Sequence, residues 1–246
     1  MRMPLIENKY AQFVPKEDAR LYVENIKYPG ETGDILAHFA RPKGDMKLPG
    51  VVVIHENRGL NPHTEDIARR IALEGFLAVA PNALSPLGGT PEDVDEARSL
   101  MQKLDSQATI KNFVAAVKYL KTHPQSTGKV GCTGFCWGGG ITNQVAVNSP
   151  DVKAAVPFYG RQPAPEDVPN IKASLLLQYA GIDERINEGI PAFEAALKEA
   201  SVDYQIFMYE GAGHAFFNDT SSRYHEEAAK LAWERTIAFF KQKLKT

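Results

Sequence analysis

From residue 50 to the end of the chain, short apolar runs alternate with stretches of helical periodicity. The first run, Val-Val-Val-Ile at 51–54, is apolar at every position, which is typical of a strand buried on both faces of a parallel sheet. Later strands are predicted at 76–80, 129–135, 154–158, 174–179 and 204–209. Because parallel strands need long crossovers, the helical stretches between them predict a doubly wound, mostly parallel α/β sheet.

The helices of this pattern have recognisable start signals. Asn61 followed by Pro62 predicts a capped helix start, and Gly75 predicts its end. Further helices are predicted at 92–104, 107–122, 137–148, 191–200 and 222–244. Before the first strand, residues 19–42 alternate around Gly-Glu-Thr-Gly at 30–33, which predicts an antiparallel hairpin at the sheet edge. No linker or repeat divides the sequence, so residues 1–246 are predicted to form a single domain.

Charge and composition exclude several classes of function. Lys and Arg number 28 against 30 Asp and Glu, so the chain offers no basic field to nucleic acid or anionic lipid. No stretch of about 18 apolar residues indicates a membrane span, and the N-terminus has no signal-peptide run. We expect a cytoplasmic protein, although a leader outside this sequence stays open. Two cysteines make no disulfide framework and no zinc-type spacing occurs, so no metal and no cofactor are expected. Monomer and homodimer both stay open.

The most informative motif is Gly134-Phe-Cys136-Trp-Gly138, which lies where a predicted strand meets a predicted helix. A Gly-x-nucleophile-x-Gly sequence in that context predicts a nucleophile elbow, a sharp turn that exposes one reactive side chain. The helix N-terminus is expected to favour thiolate and so to lower the pKa of Cys136. The alternative is that Cys136 is a small buried apolar side chain, which is how we interpret Cys132 inside the strand.

A cysteine nucleophile needs a base and an acid that orients it, and in this arrangement both follow it along the chain. Asp183 comes directly after one predicted strand, and His214 comes after the next. Ligands meet an open α/β sheet at such strand ends. As alternatives, Asp183 caps the following helix and His214 is an ordinary exposed histidine.

The loop after the first buried strand, His-Glu-Asn-Arg at 55–58, reaches the same edge. Its backbone commonly supplies one N–H to an oxyanion hole, and the residue after the nucleophile supplies another, which predicts Asn57 and Trp137 as donors. Glu56 either accepts the proton of the thiol or forms a surface ion pair with Arg58. Arg58 is also a candidate substrate contact.

These motifs resemble the dienelactone hydrolase family of α/β-hydrolases over nearly the whole chain. The resemblance rests on Gly-Phe-Cys-Trp-Gly-Gly at 134–139, Phe-Tyr-Gly at 158–160, the Asp183 loop and Gly-Ala-Gly-His-Ala-Phe at 211–216. It implies an α/β-hydrolase fold and a triad of Cys136, Asp183 and His214. It also implies that Glu56 helps to deprotonate the thiol and that Tyr159 lines the pocket.

The sequence departs from that family in the residues expected to hold a substrate carboxylate. The resemblance implies one arginine after the second sheet strand and one after the catalytic histidine, but residues 82–89 and 215–219 contain none. We therefore expect a neutral substrate, with Ser85 and Asn218 as hydrogen-bonding replacements and Phe216 as an apolar contact.

The predicted function is hydrolysis of a small ester or lactone through a thioester acyl-enzyme on Cys136. Two alternatives stay open. The same triad can act on another electrophile, such as a thioester or a phosphotriester, or the domain can bind a small molecule without catalysis, because a fold does not fix a function.

Overall fold

The computed structural model describes residues 13–245, in which eight strands form one sheet. The strands are β1 (Leu21–Gly30), β2 (Gly33–Pro42), β3 (Leu48–Ile54), β4 (Leu77–Pro81), β5 (Ser126–Phe135), β6 (Val152–Phe158), β7 (Ser174–Ile182) and β8 (Tyr204–Gly213). Their order is β1-β2-β4-β3-β5-β6-β7-β8. The pairs β1·β2 and β2·β4 are antiparallel and every other pair is parallel. The predicted mostly parallel sheet with an N-terminal hairpin is confirmed.

The described residues contain seven α-helices, of which the first six lie between strands and the last follows β8: α1 (Pro62–Leu73), α2 (Val94–Met101), α3 (Ser106–Thr122), α4 (Trp137–Asn148), α5 (Glu184–Asn187), α6 (Ile190–Glu199) and α7 (Glu226–Leu244). The Asn61 side chain caps α1 by accepting the Thr64 N–H at 3.0 Å. The one-turn helix α5 and two 3₁₀ turns, Ser85–Leu87 and Pro165–Asn170, were not predicted, because segments this short carry no periodicity. Within residues 13–245, none of the helices combines the length and apolar character needed to cross a bilayer.

Apolar side chains fill both faces of the sheet. Along β3, Val52 and Ile54 belong to the core layer under α3, α4 and α6, whereas Val51 and Val53 belong to the layer under α1 and α7. All four are fully buried. This alternation of faces explains the unbroken apolar run in the sequence, because a strand covered by helices on both sides has no solvent-facing positions.

The sheet order determines where functional side chains can meet. β3, β5, β6, β7 and β8 are consecutive and parallel, so their carboxyl ends share one edge. Hydrogen bonds hold the next residues in register: Cys136 N–H donates to Phe158 O at 3.1 Å, and Tyr159 N–H donates to Gln178 O at 2.7 Å. The loops after five neighbouring strands therefore build one site.

Candidate active site

Cys136 occupies a strained turn between β5 and α4, with φ 56° and ψ −115°. The flanking glycines are required by close backbone approach. A Cβ on Gly134 would lie 2.3 Å from the Gly138 carbonyl oxygen, and a Cβ on Gly138 would lie 2.3 Å from that of His55. The structure thus places the Gly-x-Cys-x-Gly motif on a sharp strand-to-helix turn of the kind that presents a nucleophile, where strain at a functional residue is typical.

Asp183 and His214 meet across the ends of β7 and β8. His214 Nδ1 lies 2.5 Å from Asp183 Oδ2. Asp183 occupies the N-cap position of α5, but its side chain makes no capping hydrogen bond, so the capping alternative is wrong. With Nδ1–H donating to the carboxylate, the lone pair of the ring is on Nε2. This Nε2 atom is buried and has no hydrogen-bond partner among residues 13–245.

Cys136 and His214 line the same cavity, yet the thiol is not activated in the way expected from the sequence. Burial and the negative charge of Glu56 raise the pKa of Cys136 to about 11, against the opposing effects of the Trp137 N–H and the Arg185 charge. The expected lowering of the pKa by the helix N-terminus is wrong, because desolvation of the thiolate outweighs it. At neutral pH the resting group is therefore a thiol. Cys132 is fully buried in the core, as predicted, and burial raises its pKa further.

Glu56 is only 8% exposed, and its charge acts on Cys136. Its Oε2 atom accepts a hydrogen bond from Asn218 Nδ2 at 2.9 Å. The other carboxylate oxygen, Oε1, is buried and has no partner within the described residues. The surface ion pair with Arg58 is wrong, since Arg58 is exposed and pairs with no described carboxylate. An unpartnered carboxylate oxygen whose charge acts on the thiol is suited to accept a proton from it.

The expected oxyanion-hole backbone is held by His55. His55 Nε2 accepts the Ala83 N–H at 3.1 Å, so Nδ1 carries the proton that it donates to Glu56 O at 2.6 Å. Burial lowers the pKa of His55 to about 4, which keeps the ring neutral, and the ring stacks on Trp137 at 5.3 Å. Asn57 and Trp137 both line the cavity. One neutral ring thus supports both segments that carry the expected donors.

Tyr159 packs beside His214 in the cavity wall. Its φ of 37° is rare for a residue with a side chain, and its ring centre is 5.0 Å from that of His214. The residue is fully buried and lines the cavity, and within residues 13–245 its hydroxyl group donates to no acceptor. Burial, with the charges of Glu56 and Cys136, raises the pKa of Tyr159 well above the ordinary value, against the opposing effect of the Phe217 backbone N–H. The hydroxyl group is therefore a neutral potential donor beside Cys136.

Two predicted substrate contacts lie away from the cavity. The Ser85 hydroxyl donates to Asn82 O at 2.6 Å and accepts the Leu36 N–H at 2.9 Å, so it closes a turn beside β2. Arg58 is exposed, but it is not among the residues that line the cavity. Neither residue lies in the cavity wall as expected, because proximity in sequence to the strand ends does not decide the direction of a loop side chain.

Two other residues predicted to contact substrate are buried in the core. Asn218 is 8% exposed and outside the cavity wall, since its amide donates to Glu56 and its Oδ1 accepts from Thr220. Phe216 is fully buried, with its ring centre 5.3 Å from that of Tyr159. Neither side chain is free to contact substrate. Asn218 instead acts on the site indirectly, by holding the Glu56 carboxylate.

The cavity has a volume of about 1060 Å³. Its wall includes polar and charged side chains that sequence reasoning missed, namely Gln144, Arg161, Gln162, Arg185 and Glu188. The two arginines could have been found from their positions in the sequence. Arg161 comes two residues after Tyr159, and Arg185 comes two residues after Asp183, each just beyond the end of a strand. Within the described part of the chain, no group of three or more His, Cys, Asp or Glu side chains is arranged to hold a metal ion.

Residues 35–244 match the dienelactone hydrolase family. The chain belongs to that family. A protein of Salmonella typhi described as a candidate carboxymethylenebutenolidase is 35% identical over 230 residues, which cover 87% of this chain and 85% of the relative. A protein of the same description from Saccharolobus solfataricus is 33% identical and matches 89% of this chain and 98% of the relative.

A solved structure supports the same relationship. The crystal structure described as a candidate dienelactone hydrolase from Klebsiella pneumoniae has a TM-score of 0.81 and 30% identity, covering 90% of this chain and 99% of that one. The predicted α/β-hydrolase fold and family are thereby confirmed, and the chain is a hydrolase of the dienelactone hydrolase type, a class of carboxylic ester hydrolases.

Proposed function

We propose that this chain hydrolyses small esters or lactones through a Cys136 nucleophile, a His214 base and an orienting Asp183. One observation carries the proposal: His214, which pairs with Asp183, and Cys136, which lies on a strained turn, line the same cavity. The Nε2 atom of His214, which has no hydrogen-bond partner among residues 13–245, supports the proposal, because a general base needs a free lone pair to accept a proton. Curated relatives described as candidate carboxymethylenebutenolidases support a lactone or ester as the substrate class.

The first half of the reaction forms a thioester. Glu56 Oε1 is the first acceptor of the Cys136 proton, which then passes to His214 Nε2. The thiolate attacks the carbonyl carbon, and the resulting oxyanion accepts hydrogen bonds from the backbone N–H groups of Asn57 and Trp137. The His214 imidazolium, stabilised by Asp183, donates its proton to the alkoxide as the carbon–oxygen bond breaks, and the alcohol leaves.

The second half returns the enzyme to its starting state. Neutral His214 Nε2 takes a proton from water, and the hydroxide attacks the thioester carbonyl. The carbon–sulfur bond breaks to give the carboxylic acid product, and the sulfur recovers its proton from His214. No redox change occurs, and every proton that leaves the thiol or water is returned.

The proposal is tested with 4-nitrophenyl acetate and two matched cysteine variants. We expect Cys136→Ala to lose at least about a hundredfold in turnover, since it removes the nucleophile. Cys132→Ala should keep turnover within about threefold, because that side chain is buried in β5 away from the cavity wall. Mass spectrometry of the quenched wild type should show one acetyl group on Cys136. If Cys136→Ala and wild type hydrolyse the ester equally fast, the assignment of the nucleophile is wrong.

A further inference from the structure

Two arginines in the cavity wall have no ionic partner. Arg161 and Arg185 are exposed, and neither guanidinium group makes an ion pair or hydrogen bond with another residue of the described range 13–245. By contrast, Arg20 pairs with Asp18 at 2.7 Å and Arg70 pairs with Asp219 at 2.7 Å, both outside the cavity wall. Two unpaired guanidinium groups on one concave surface leave ten N–H donors without a protein acceptor, and such groups favour oxyanions.

The backbone at Arg161 is fixed against the helix that follows the nucleophile. Asn143 Nδ2, on α4, donates to Arg161 O at 2.9 Å. A Cβ at Gly140, in the first turn of α4, would lie 3.5 Å from Arg161 N, so the two segments are in close contact. The guanidinium group therefore extends from a backbone position set by the same helix that carries Cys136 at its N-terminus.

Gln162 connects the two arginine segments. Its Nε2 atom donates to Ile186 O at 3.0 Å, in the short helix α5 that contains Arg185. A Cβ at Gly189 would lie 2.4 Å from Gln162 Oε1, which shows how tightly this side chain is enclosed. The loop after β6 and the helix after β7 are thus held together, which fixes both arginine backbones on the same wall.

The charges in this wall favour an anion near the reacting sulfur. Arg185 lies close enough to the nucleophile for its charge to oppose the rise in the Cys136 pKa. Among the described residues that line the wall, Glu188 is the one acidic residue. It forms no ion pair with either arginine. The cavity volume of about 1060 Å³ leaves room for a substrate that reaches the arginines while its carbonyl group lies at Cys136.

We propose that Arg161 and Arg185 form a subsite for an oxyanion, a carboxylate or phosphate group, carried by the ester substrate. The inference rests on the proposed function of Cys136 and replaces the sequence-based expectation of a neutral substrate. That expectation considered only the loops after β4 and after His214, which lack arginine. The structure supplies positive charge from two other segments, the loop after β6 and helix α5 after β7.

The test uses three esters with one leaving group: 4-nitrophenyl butyrate, its carboxylate analogue 4-nitrophenyl hydrogen succinate, and 4-nitrophenyl 3-phosphonopropanoate. Initial rates are measured for the wild type, R161Q, R185Q and the double variant. Arg223→Gln is the matched control, because Arg223 is another exposed arginine that lies outside the cavity wall. Cys136→Ala measures turnover that does not depend on the nucleophile.

We expect wild type to show a higher kcat/KM for at least one anionic ester than for butyrate, and the better of the two identifies the anion. The double variant should lose roughly ten- to a hundredfold more on that ester than on butyrate, as for lost charged hydrogen bonds, because any effect of Arg185 on the Cys136 thiol is common to both esters. Arg223→Gln should change neither. Equal losses on charged and neutral esters, or no preference in wild type, would overturn the subsite.

If the proposed function of Cys136 is wrong, the result differs: turnover of all three esters is unchanged in Cys136→Ala or absent in wild type. Anion binding at the subsite is then measured by the Tm of the protein with 20 mM glutarate or inorganic phosphate. A rise in Tm for wild type that is lost in R161Q/R185Q supports anion binding, because a ligand stabilises only the state that binds it. No rise with either anion overturns it.

Discussion

Replacing Glu56 by Gln should move two properties of Cys136 in opposite directions. The amide keeps an oxygen that accepts the hydrogen bond from Asn218 Nδ2 but removes the negative charge that, after burial, raises the pKa of Cys136 to about 11. With that pKa, about one thiol in a thousand is ionised at pH 8. Loss of one nearby like charge lowers a pKa by about one unit, so the thiolate fraction should rise about tenfold.

Two assays separate the effects. Alkylation of Cys136 by iodoacetamide, followed by mass spectrometry between pH 7 and pH 10, should be about tenfold faster in Glu56→Gln at pH 8, since the thiolate is the reacting species. Ester turnover should fall by roughly tenfold or more, because the amide accepts no proton from the thiol. Glu210→Gln, an exposed glutamate outside the cavity wall, controls for the change in net charge.

The combination of signs decides between the roles of Glu56. Faster alkylation with unchanged or faster turnover would mean that the carboxylate only opposes thiolate formation and accepts no proton. Identical alkylation profiles in wild type and Glu56→Gln would refute the assignment of Glu56 as a charge acting on the thiol.

Two further predictions concern stability, read from Tm and urea unfolding. Gly138→Ala should destabilise the protein by roughly 2 kcal/mol or more, because its Cβ would overlap a backbone oxygen 2.3 Å away. Gly140→Ala, whose Cβ would have its nearest atom at 3.5 Å, should leave the free energy of unfolding unchanged. Equal Tm values for the two variants would contradict the close approach at Gly138. Asp219 pairs with Arg70 at 2.7 Å, and although burial opposes ionisation, two basic neighbours lower its pKa from 3.8 to about 2. The ionised Asp219 carboxylate therefore stabilises the folded state above pH 4, and this contribution is lost as the pH falls through 2. Asp219→Asn should lower the free energy of unfolding by about 2 kcal/mol at pH 7 and by little at pH 2. As a control, Asp95→Asn on the exposed surface should change it little at either pH. A pH-independent loss would contradict this origin.

The fold was largely predictable from periodicity, and the candidate reacting groups were found from one motif and from their positions at predicted strand ends. The unbroken apolar run of β3 and the cap of α1 define local structure, and parallel strands necessarily bring Cys136, Asp183 and His214 to one edge. Their catalytic roles stay a prediction until tested. Strand ends can be located from sequence, whereas the directions of the side chains in the loops beyond them cannot.

The errors have one physical origin, which is that burial and loop packing depend on residues distant in sequence. The pKa of Cys136 was expected to fall on a helix-terminus argument, but enclosure and Glu56, 80 positions earlier in the chain, raise it. Ser85 and Asn218 were expected to face substrate, but each is held by internal hydrogen bonds. Arg161 and Arg185 were missed because an exposed arginine carries no distinguishing pattern in a sequence.

The spacing of two residues between Tyr159 and Arg161, and again between Asp183 and Arg185, has a consequence for how this protein can change over evolution. The strand-end positions are fixed by the sheet, but position 161 lies in a loop and position 185 in the one-turn helix α5, and no strand pairs with either. If Arg161 and Arg185 hold a substrate anion as proposed, mutations at these positions exchange one substrate preference for another while Cys136, Asp183 and His214 stay in register. Engineering of new specificities should begin at these two positions, with libraries that leave every strand sequence intact.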